Sequence, residues 1–145
     1  MSIIQNNLSI LKNLQFDMHQ KDFLITWEKT DAELKATLLL AECLKELHRQ
    51  GKALRIFESG ISISIFRDNS TRTRFSFLAA SDLLGLGLTE LDEEKSQISH
   101  GETVRETANM ISFLAEVIGI RDDIYLHEGD KYMREVSASV QEGYD

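Results

Sequence analysis

The feature that most constrains the fold is a change of apolar spacing in the middle of the chain. In residues 61–66 isoleucine alternates with serine, and this period of two is typical of a β-strand. After a short loop, the string Ser-Thr-Arg-Thr-Arg of residues 70–74 begins a segment with helical spacing to about Leu84, which Gly85 and Gly87 are expected to end. A strand followed closely by a helix predicts one βα unit of an α/β protein.

The rest of the chain predicts further helices that alternate with short strands. Thr30 and Glu33 form a T-x-x-E capping box, which opens a helix that Gly51 closes. The predicted helices are residues 3–16, 31–50, 70–84, 102–118 and 131–141, the predicted strands are residues 53–57, 61–66 and 119–121, and residues 88–101 are predicted to be an irregular polar loop. This order points to an α/β fold in which a parallel sheet is flanked by helices.

Apolar stripes on the predicted helices are expected to face the core. In the second helix the stripe consists of Leu34, Leu38, Ala41, Leu44 and Leu47, and in the fourth of Val104, Ala108, Ile111, Ala115 and Ile118, with Gly119 as the stop. Cys43 is expected to pack in the core as a small apolar side chain. As the single cysteine it forms no internal disulfide, which fits a cytoplasmic location.

Composition excludes several classes of protein. The 145 residues suit one domain and leave no room for two full ones. The net charge of −8 argues against a nucleic-acid partner. The longest apolar runs, residues 38–41 and 77–80, are far too short to span a membrane, and no signal peptide is visible.

Residues 70–74 carry the chemistry that the sequence predicts. A helix N-terminus presents unpaired N–H groups and the positive end of the helix dipole, and Ser70 is a good N-cap residue. Thr71 and Thr73 add hydroxyls, and Arg72 adds a cation that can bind two oxygens. Over residues 61–76, three arginines against one aspartate give +2. The segment therefore predicts an anion site suited to a phosphate, without the glycines or lysine of a P-loop.

Simpler interpretations of the polar and charged residues stay open. The start of the helix could be an ordinary capped, solvated end, and Arg67-x-x-Ser70 could be a kinase site. The acidic run of residues 90–94 is typical of a solvated loop. The other histidines, His19, His48 and His127, lack metal-site spacing with each other or with Cys43. No metal and no cofactor is predicted.

The string Ser-Thr-Arg-Thr-Arg, with Phe66 before it and Ser76-Phe77 after it, resembles the carbamoyl-phosphate signature of the aspartate/ornithine carbamoyltransferases. Residues 95–103 resemble the mobile loop of that family, which ends in Gly-Glu-Thr before a long helix. Arg121 resembles a family arginine. The resemblance covers about residues 20–145 and is closest to the knotted carbamoyltransferase-like subgroup.

The resemblance implies a set of residues that bind carbamoyl phosphate: Ser70, Thr71, Arg72, Thr73, Arg121, Ser96 and His100. Arg72 and Arg121 would be catalytic, with Arg121 contacting both phosphate and carbonyl, whereas Arg74 would be structural. Ser96 and His100 would enter the site of a neighbouring subunit, because the family forms trimers with shared sites. His100 departs from the family, which has a lysine there; as an imidazolium it would bind phosphate less tightly as the pH rises.

The implied reaction is attack by an amine on the carbonyl carbon of carbamoyl phosphate, and phosphate leaves. The family binds its amine substrate largely with a second domain and also uses a His-Pro-x-Gln motif, whereas this chain has no proline. Residues 1–145 are therefore expected to be an incomplete carbamoyl-phosphate-binding domain that is inactive alone. Two functions stay open: part of a carbamoyltransferase with an amino acid or ureido-type acceptor, or a non-catalytic anion-binding or oligomerisation module derived from one.

Overall fold

The structure, a computed structural model, describes residues 2–67, 69–92 and 101–141. The chain divides into two compact units, Met1–Leu54 and Arg55–Asp145. Within the described residues, no helix is long and apolar enough to cross a membrane.

The first unit contains two helices, α1 (Ile3–Leu11) and α2 (Asp31–Arg49), with a 3-10 turn at Thr26–Glu28. The capping box predicted at the start of α2 is confirmed. Helix α1 ends five residues before the predicted limit at residue 16. It ends there because the side-chain amide of Asn13 donates to the Ser9 carbonyl oxygen at 2.8 Å, in place of a backbone N–H.

The buried stripe of α2 differs from the predicted one. Ala36 and Cys43 are buried, as expected for Cys43, but Leu38 is 68% exposed and Ala41 is exposed as well. Helix α1 packs on α2 through its buried residue Asn7. The side-chain amide of Asn7 donates to the Leu39 carbonyl oxygen at 3.3 Å and to Glu42 Oε2 at 2.9 Å. The other three predicted residues, Leu34, Leu44 and Leu47, are half-buried. The predicted stripe was therefore wrong at Leu38 and Ala41, because α2 has apolar residues on more than one side and the position of α1 decides which side is buried.

The second unit is an α/β layer structure with a three-stranded parallel sheet. Its elements are β1 (Ile61–Phe66), α3 (Thr71–Leu84), β2 (Gly87–Glu90), α4 (Val104–Ser112), β3 (Val117–Arg121) and α5 (Gly129–Gln141). The strand order is β2-β1-β3, and β1 pairs in parallel with both neighbours. The predicted parallel sheet with flanking helices is confirmed.

Several predicted elements and boundaries around this sheet were wrong. Residues 53–57 form no strand; instead the N–H groups of Ile56 and Phe57 both donate to the Leu84 carbonyl oxygen at 3.0 Å. The predicted polar loop contains β2, an edge strand whose short polar sequence lacks an apolar pattern. Helix α4 ends at Ser112 and not near residue 118, because the chain joins the sheet where Glu116 N donates to Ile61 O at 2.9 Å.

The two faces of the sheet carry side chains of different size. Ile63 and Ile65 of β1 lie in the core cluster with residues of α4 and α5, namely Ala108, Ile111, Tyr132 and Val136. The alternate residues Ser62 and Ser64 are also buried. Ser62 Oγ donates to Ser81 Oγ of α3 at 2.8 Å, so α3 covers the face with the small side chains. Both faces of β1 are therefore buried, although its sequence alternates.

Gly119 lies in β3, opposite Ser64 of β1, which confirms the strand predicted at residues 119–121, but it does not end a helix as was also predicted. A Cβ atom at this position would lie 2.5 Å from Cε2 of Phe77 in α3.

Since the Phe77 ring lies in the contact between α3 and the sheet, we expect Gly119→Ala to reduce the free energy of unfolding by about 1–3 kcal/mol. Urea denaturation measures this loss. With Phe77→Leu as the second change, the double variant should lose less than the two single variants together; strict additivity would contradict the steric explanation.

Helix α4 starts with a capping box formed by Thr103 and Glu106, which was not predicted. Thr103 N donates to Glu106 Oε2 at 2.8 Å, and Glu106 N donates to Thr103 Oγ1 at 3.2 Å. The hydrogen bond from the Thr103 backbone, followed by that from its hydroxyl, lowers the pKa of Glu106 below its ordinary value of 4.5.

This lowered pKa gives the capping box a defined pH dependence. The ionised carboxylate contributes stability above the unfolded-state pKa, and this contribution is lost as the pH falls through the lower folded-state pKa. In urea denaturation from about pH 6 to about pH 3, we expect Glu106→Gln to lose less stability than wild type. Glu58→Gln, which removes an exposed carboxylate outside any capping box, is the control. Equal pH dependence of wild type and Glu106→Gln would contradict this account.

Candidate functional site

The candidate site lies at the carboxyl ends of β1 and β3, which are neighbours in the sheet. Helix α3 follows β1 and covers the face with the serines, as the bond from Ser62 to Ser81 indicates. Helix α5 follows β3 and packs on the opposite face, where Tyr132 and Val136 join the core cluster. Adjacent parallel strands whose helices leave to opposite faces open a crevice between them, and ligands of α/β proteins bind in such crevices.

Arg121 joins the two sides of this crevice. It is the last residue of β3, in register with Phe66 at the end of β1. Its Nη1 donates to Ser70 Oγ at 2.7 Å and to Thr73 Oγ1 at 2.6 Å. Ser70 Oγ in turn donates to Thr73 Oγ1 at 2.9 Å. The structure therefore brings together three residues that the sequence selected, from positions up to 51 apart.

Ser70 occupies the N-cap position of α3, but its side chain makes no capping hydrogen bond, contrary to the expectation for a serine at this position. Its hydroxyl contacts Thr73 and Arg121 instead. Among residues 2–67, 69–92 and 101–141, the backbone N–H groups of Thr71, Arg72 and Thr73 have no acceptor. Three donors at the positive end of the α3 dipole are thus directed at the crevice edge without a capping side chain.

Arg72 differs from the other arginines at this edge of the sheet. Its side chain is exposed, and within the described part of the chain it makes no salt bridge. Thr71, beside it, is also exposed. A guanidinium without a carboxylate partner, on the first turn of a helix, adds a full positive charge to the partial charge of the helix terminus.

The remaining three arginines are each paired with a carboxylate of the same unit. Arg67 Nη1 binds Asp122 Oδ2 at 2.6 Å, Arg121 Nη2 binds Asp123 Oδ2 at 2.7 Å, and Arg74 binds Glu90. Of four positive charges, three are therefore balanced within the described residues. Asp122 and Asp123 were not among the predicted site residues, although two aspartates directly after Arg121 at the end of a predicted strand were a usable signal.

Arg74 fixes the start of α3 against the sheet. Its Nη2 donates to the Phe66 carbonyl oxygen at 2.9 Å, and its guanidinium lies 5.9 Å from the centre of the Phe66 ring. This agrees with the structural role expected for Arg74. The solvated loop predicted for Glu90 was wrong, because β2 places this carboxylate beside Arg74.

A cleft of about 330 Å³ lies on the α5 side of the same edge. It includes Arg67, Asp122 and Tyr132, and the Arg67 guanidinium lies 4.6 Å from the centre of the Tyr132 ring. Ser96 and His100 lie outside the residues that the structure describes. Within the described residues, no group of three His, Cys, Asp or Glu side chains is placed to hold a metal ion.

Comparison with protein families identifies the chain. Residues 21–142 match the model of the aspartate/ornithine carbamoyltransferase, carbamoyl-P binding domain. The chain belongs to the aspartate/ornithine carbamoyltransferase family. It is 55% identical over 144 residues to YgeW of Escherichia coli K12, whose name provisionally describes it as a carbamoyltransferase. The matched region covers 99% of this chain and 36% of YgeW. It is 32% identical to the catabolic ornithine carbamoyltransferase of Treponema denticola, covering 72% of this chain and 31% of that protein.

Solved structures of this family share the fold. The ornithine carbamoyltransferase of Pyrococcus furiosus matches with a TM-score of 0.75 and 28% identity, covering 86% of this chain and 38% of that one. The aspartate transcarbamoylase of Trypanosoma cruzi in complex with carbamoyl phosphate matches with a TM-score of 0.71 and 25% identity, and the match covers 83% of this chain and 36% of that one. The chain thus spans about a third of the length of these family members.

The bonds of Arg121 to the two hydroxyls predict an effect on stability. We expect Thr73→Val, which keeps the shape of the side chain, to reduce the free energy of unfolding by about 1 kcal/mol, because a part-buried charged donor loses an acceptor. Thr71→Val is the matched control, since Thr71 is exposed on the same helical turn. Denaturant titration measures both changes. An equal effect of the two substitutions would contradict a specific role for the Thr73 hydroxyl.

Proposed function

We propose that the crevice between β1 and β3 binds the phosphate of carbamoyl phosphate. The observation that carries this proposal is the bonding of Arg121 to Ser70 and Thr73, which joins the end of β3 to the start of α3. Family membership adds that this domain is the carbamoyl-phosphate-binding one. Ser70, Thr71, Arg72 and Thr73 would surround the phosphate, and Arg121 would contact phosphate and carbonyl oxygens.

The chemistry that we propose is carbamoyl transfer to an amine. The amine lone pair attacks the carbonyl carbon, the carbon–oxygen bond to phosphate breaks, and the proton that the amine nitrogen loses passes to the departing phosphate. Arg72, Arg121 and the N–H groups of α3 would stabilise the negative charge that develops on the carbonyl and phosphate oxygens. Since no covalent intermediate is needed, the contribution of these residues is orientation and electrostatic stabilisation.

The complete site would need parts outside the described residues. We propose that residues 1–145 form the carbamoyl-phosphate half of the site, and that a second domain binds an amino acid or ureido-type acceptor. Ser96 and His100 would reach the site of a neighbouring subunit in a cytoplasmic homotrimer. The 145-residue chain alone would then bind carbamoyl phosphate without turning it over. Release of a carbamoylated product from purified chain with a panel of amines would contradict this last point.

The second candidate function is a non-catalytic module for anion binding or oligomerisation. It is favoured by the exposed aromatic side chains of the second unit, where Phe75 is 66% exposed and Phe113 is 65% exposed. The two functions differ in product formation by a longer protein that contains the second domain. Turnover there supports the transferase, whereas phosphate binding without turnover supports the module.

Arg72 offers the most direct test of phosphate binding. We expect Arg72→Ala to weaken the binding of carbamoyl phosphate and of inorganic phosphate about 10- to 100-fold, because the site loses its unbalanced positive charge. Arg55→Ala is the matched control, since Arg55 lies beside Gly85 at the opposite end of α3, about 20 Å from Arg72 along the helix. Isothermal titration calorimetry measures both. Equal affinities of wild type and Arg72→Ala would exclude phosphate binding at α3.

A further inference from the structure

Asp123 is a charged residue at this edge that the proposed function does not use and that contacts Arg121, which it does use. Its Oδ2 accepts a hydrogen bond from Nη2 of Arg121 at 2.7 Å. About half of its side chain is exposed, at 53% against 35% for that of Arg121. A carboxylate that is accessible to solvent therefore occupies one terminal nitrogen of the arginine to which we assign the phosphate and carbonyl contacts.

The donors of Arg121 explain why this contact matters. Nη1 already donates to the hydroxyls of Ser70 and Thr73. A bidentate contact with an anion needs two nitrogens of one guanidinium, and Nη2 is the other terminal nitrogen. An anion that binds Arg121 through both terminal nitrogens would therefore have to displace the Asp123 carboxylate from Nη2.

We propose that Asp123 is a positioning residue that competes with the bound phosphate for the guanidinium of Arg121 and thereby sets the affinity of the site. This inference rests on the proposed function of the crevice. Asp123 holds the guanidinium beside Ser70 and Thr73 when the site is empty. A phosphate dianion replaces the carboxylate on Nη2, because it brings more charge and more acceptor oxygens. The carboxylate thus lowers the affinity for phosphate and returns to Arg121 when the phosphate leaves.

The other acids near the crevice do not have this arrangement. Asp122, one residue earlier, is paired with Arg67, and its side chain is only 7% exposed. Glu90 is paired with Arg74. In the described part of the chain, Asp123 is the acid that shares a guanidinium with Ser70 and Thr73.

The test measures the affinity for inorganic phosphate and for carbamoyl phosphate by isothermal titration calorimetry of the 145-residue chain. We expect Asp123→Asn, which keeps an acceptor oxygen but loses the charge, to bind both ligands about 3- to 10-fold more tightly than wild type. Asp123→Glu keeps the charge and should stay within about twofold of wild type. The gain from Asp123→Asn should shrink at high ionic strength, because salt screens exposed charges.

Asp82→Asn is the control for net charge. Asp82 is an exposed acid of α3, twelve residues after Ser70 and about 18 Å along the helix. Its substitution should leave both affinities unchanged, since this distance exceeds the screening length at physiological salt. A gain from Asp82→Asn equal to that from Asp123→Asn would overturn the proposal in favour of a general charge effect.

The outcomes separate this inference from the function on which it rests. Binding by wild type, with equal or weaker binding by Asp123→Asn, would overturn the competition and leave the phosphate site intact. A gain that does not change with ionic strength would also overturn it. Failure of both proteins to bind either ligand at millimolar concentration would overturn the phosphate site and the competition together.

Discussion

The position of α3 on the sheet depends on the small side chains beneath it. Ser62 and Ser64 of β1 are buried, and Ser62 Oγ bonds to Ser81 Oγ of α3 at 2.8 Å. Gly119 of β3 leaves room for the Phe77 ring. Larger side chains here would hold the helix further from the sheet, and the hydroxyls at its start would no longer reach Arg121.

Close packing and charge thus meet at the same end of α3. The T-shaped contact of Phe66 with Phe77, with ring centres 5.6 Å apart, and the bond from Arg74 to the Phe66 carbonyl both hold the first turns of α3 against β1. The N–H groups of this first turn keep a fixed direction as a result. A fixed set of donors is what electrostatic stabilisation of a leaving phosphate requires, because the donors need no rearrangement during the reaction.

Most arginines at the carboxyl ends of β1 and β3 are paired with carboxylates, although the string of residues 70–74 is basic. Glu90, Asp122 and Asp123 each pair with one arginine, and within the described residues Arg72 makes no salt bridge. Pairing of this kind limits non-specific attraction of anions, so that geometry contributes more to selection than net charge does. The structure of the crevice thus reconciles the proposed phosphate site with an acidic chain of net charge −8.

Much of the fold could be predicted from local patterns, and the errors have common physical causes. The strand at residues 61–66, the helix after it and the capping box of α2 follow from periodicity and local hydrogen bonds. Edge strand β2 could not be predicted because its pairing with β1, and not its own composition, makes it a strand. The end of α4 was missed because a backbone bond from Glu116 to distant Ile61 draws the chain into the sheet.

The sequence by itself determined the Ser-Thr-Arg-Thr-Arg motif of residues 70–74 and, through it, the family. Only the tertiary structure decided which groups surround that motif. Arg121 reaches Ser70 and Thr73 from 51 and 48 positions away, and Asp123 reaches the same guanidinium. Local patterns report short-range hydrogen bonds and burial, whereas these contacts arise when parallel strands bring the carboxyl ends of β1 and β3 together.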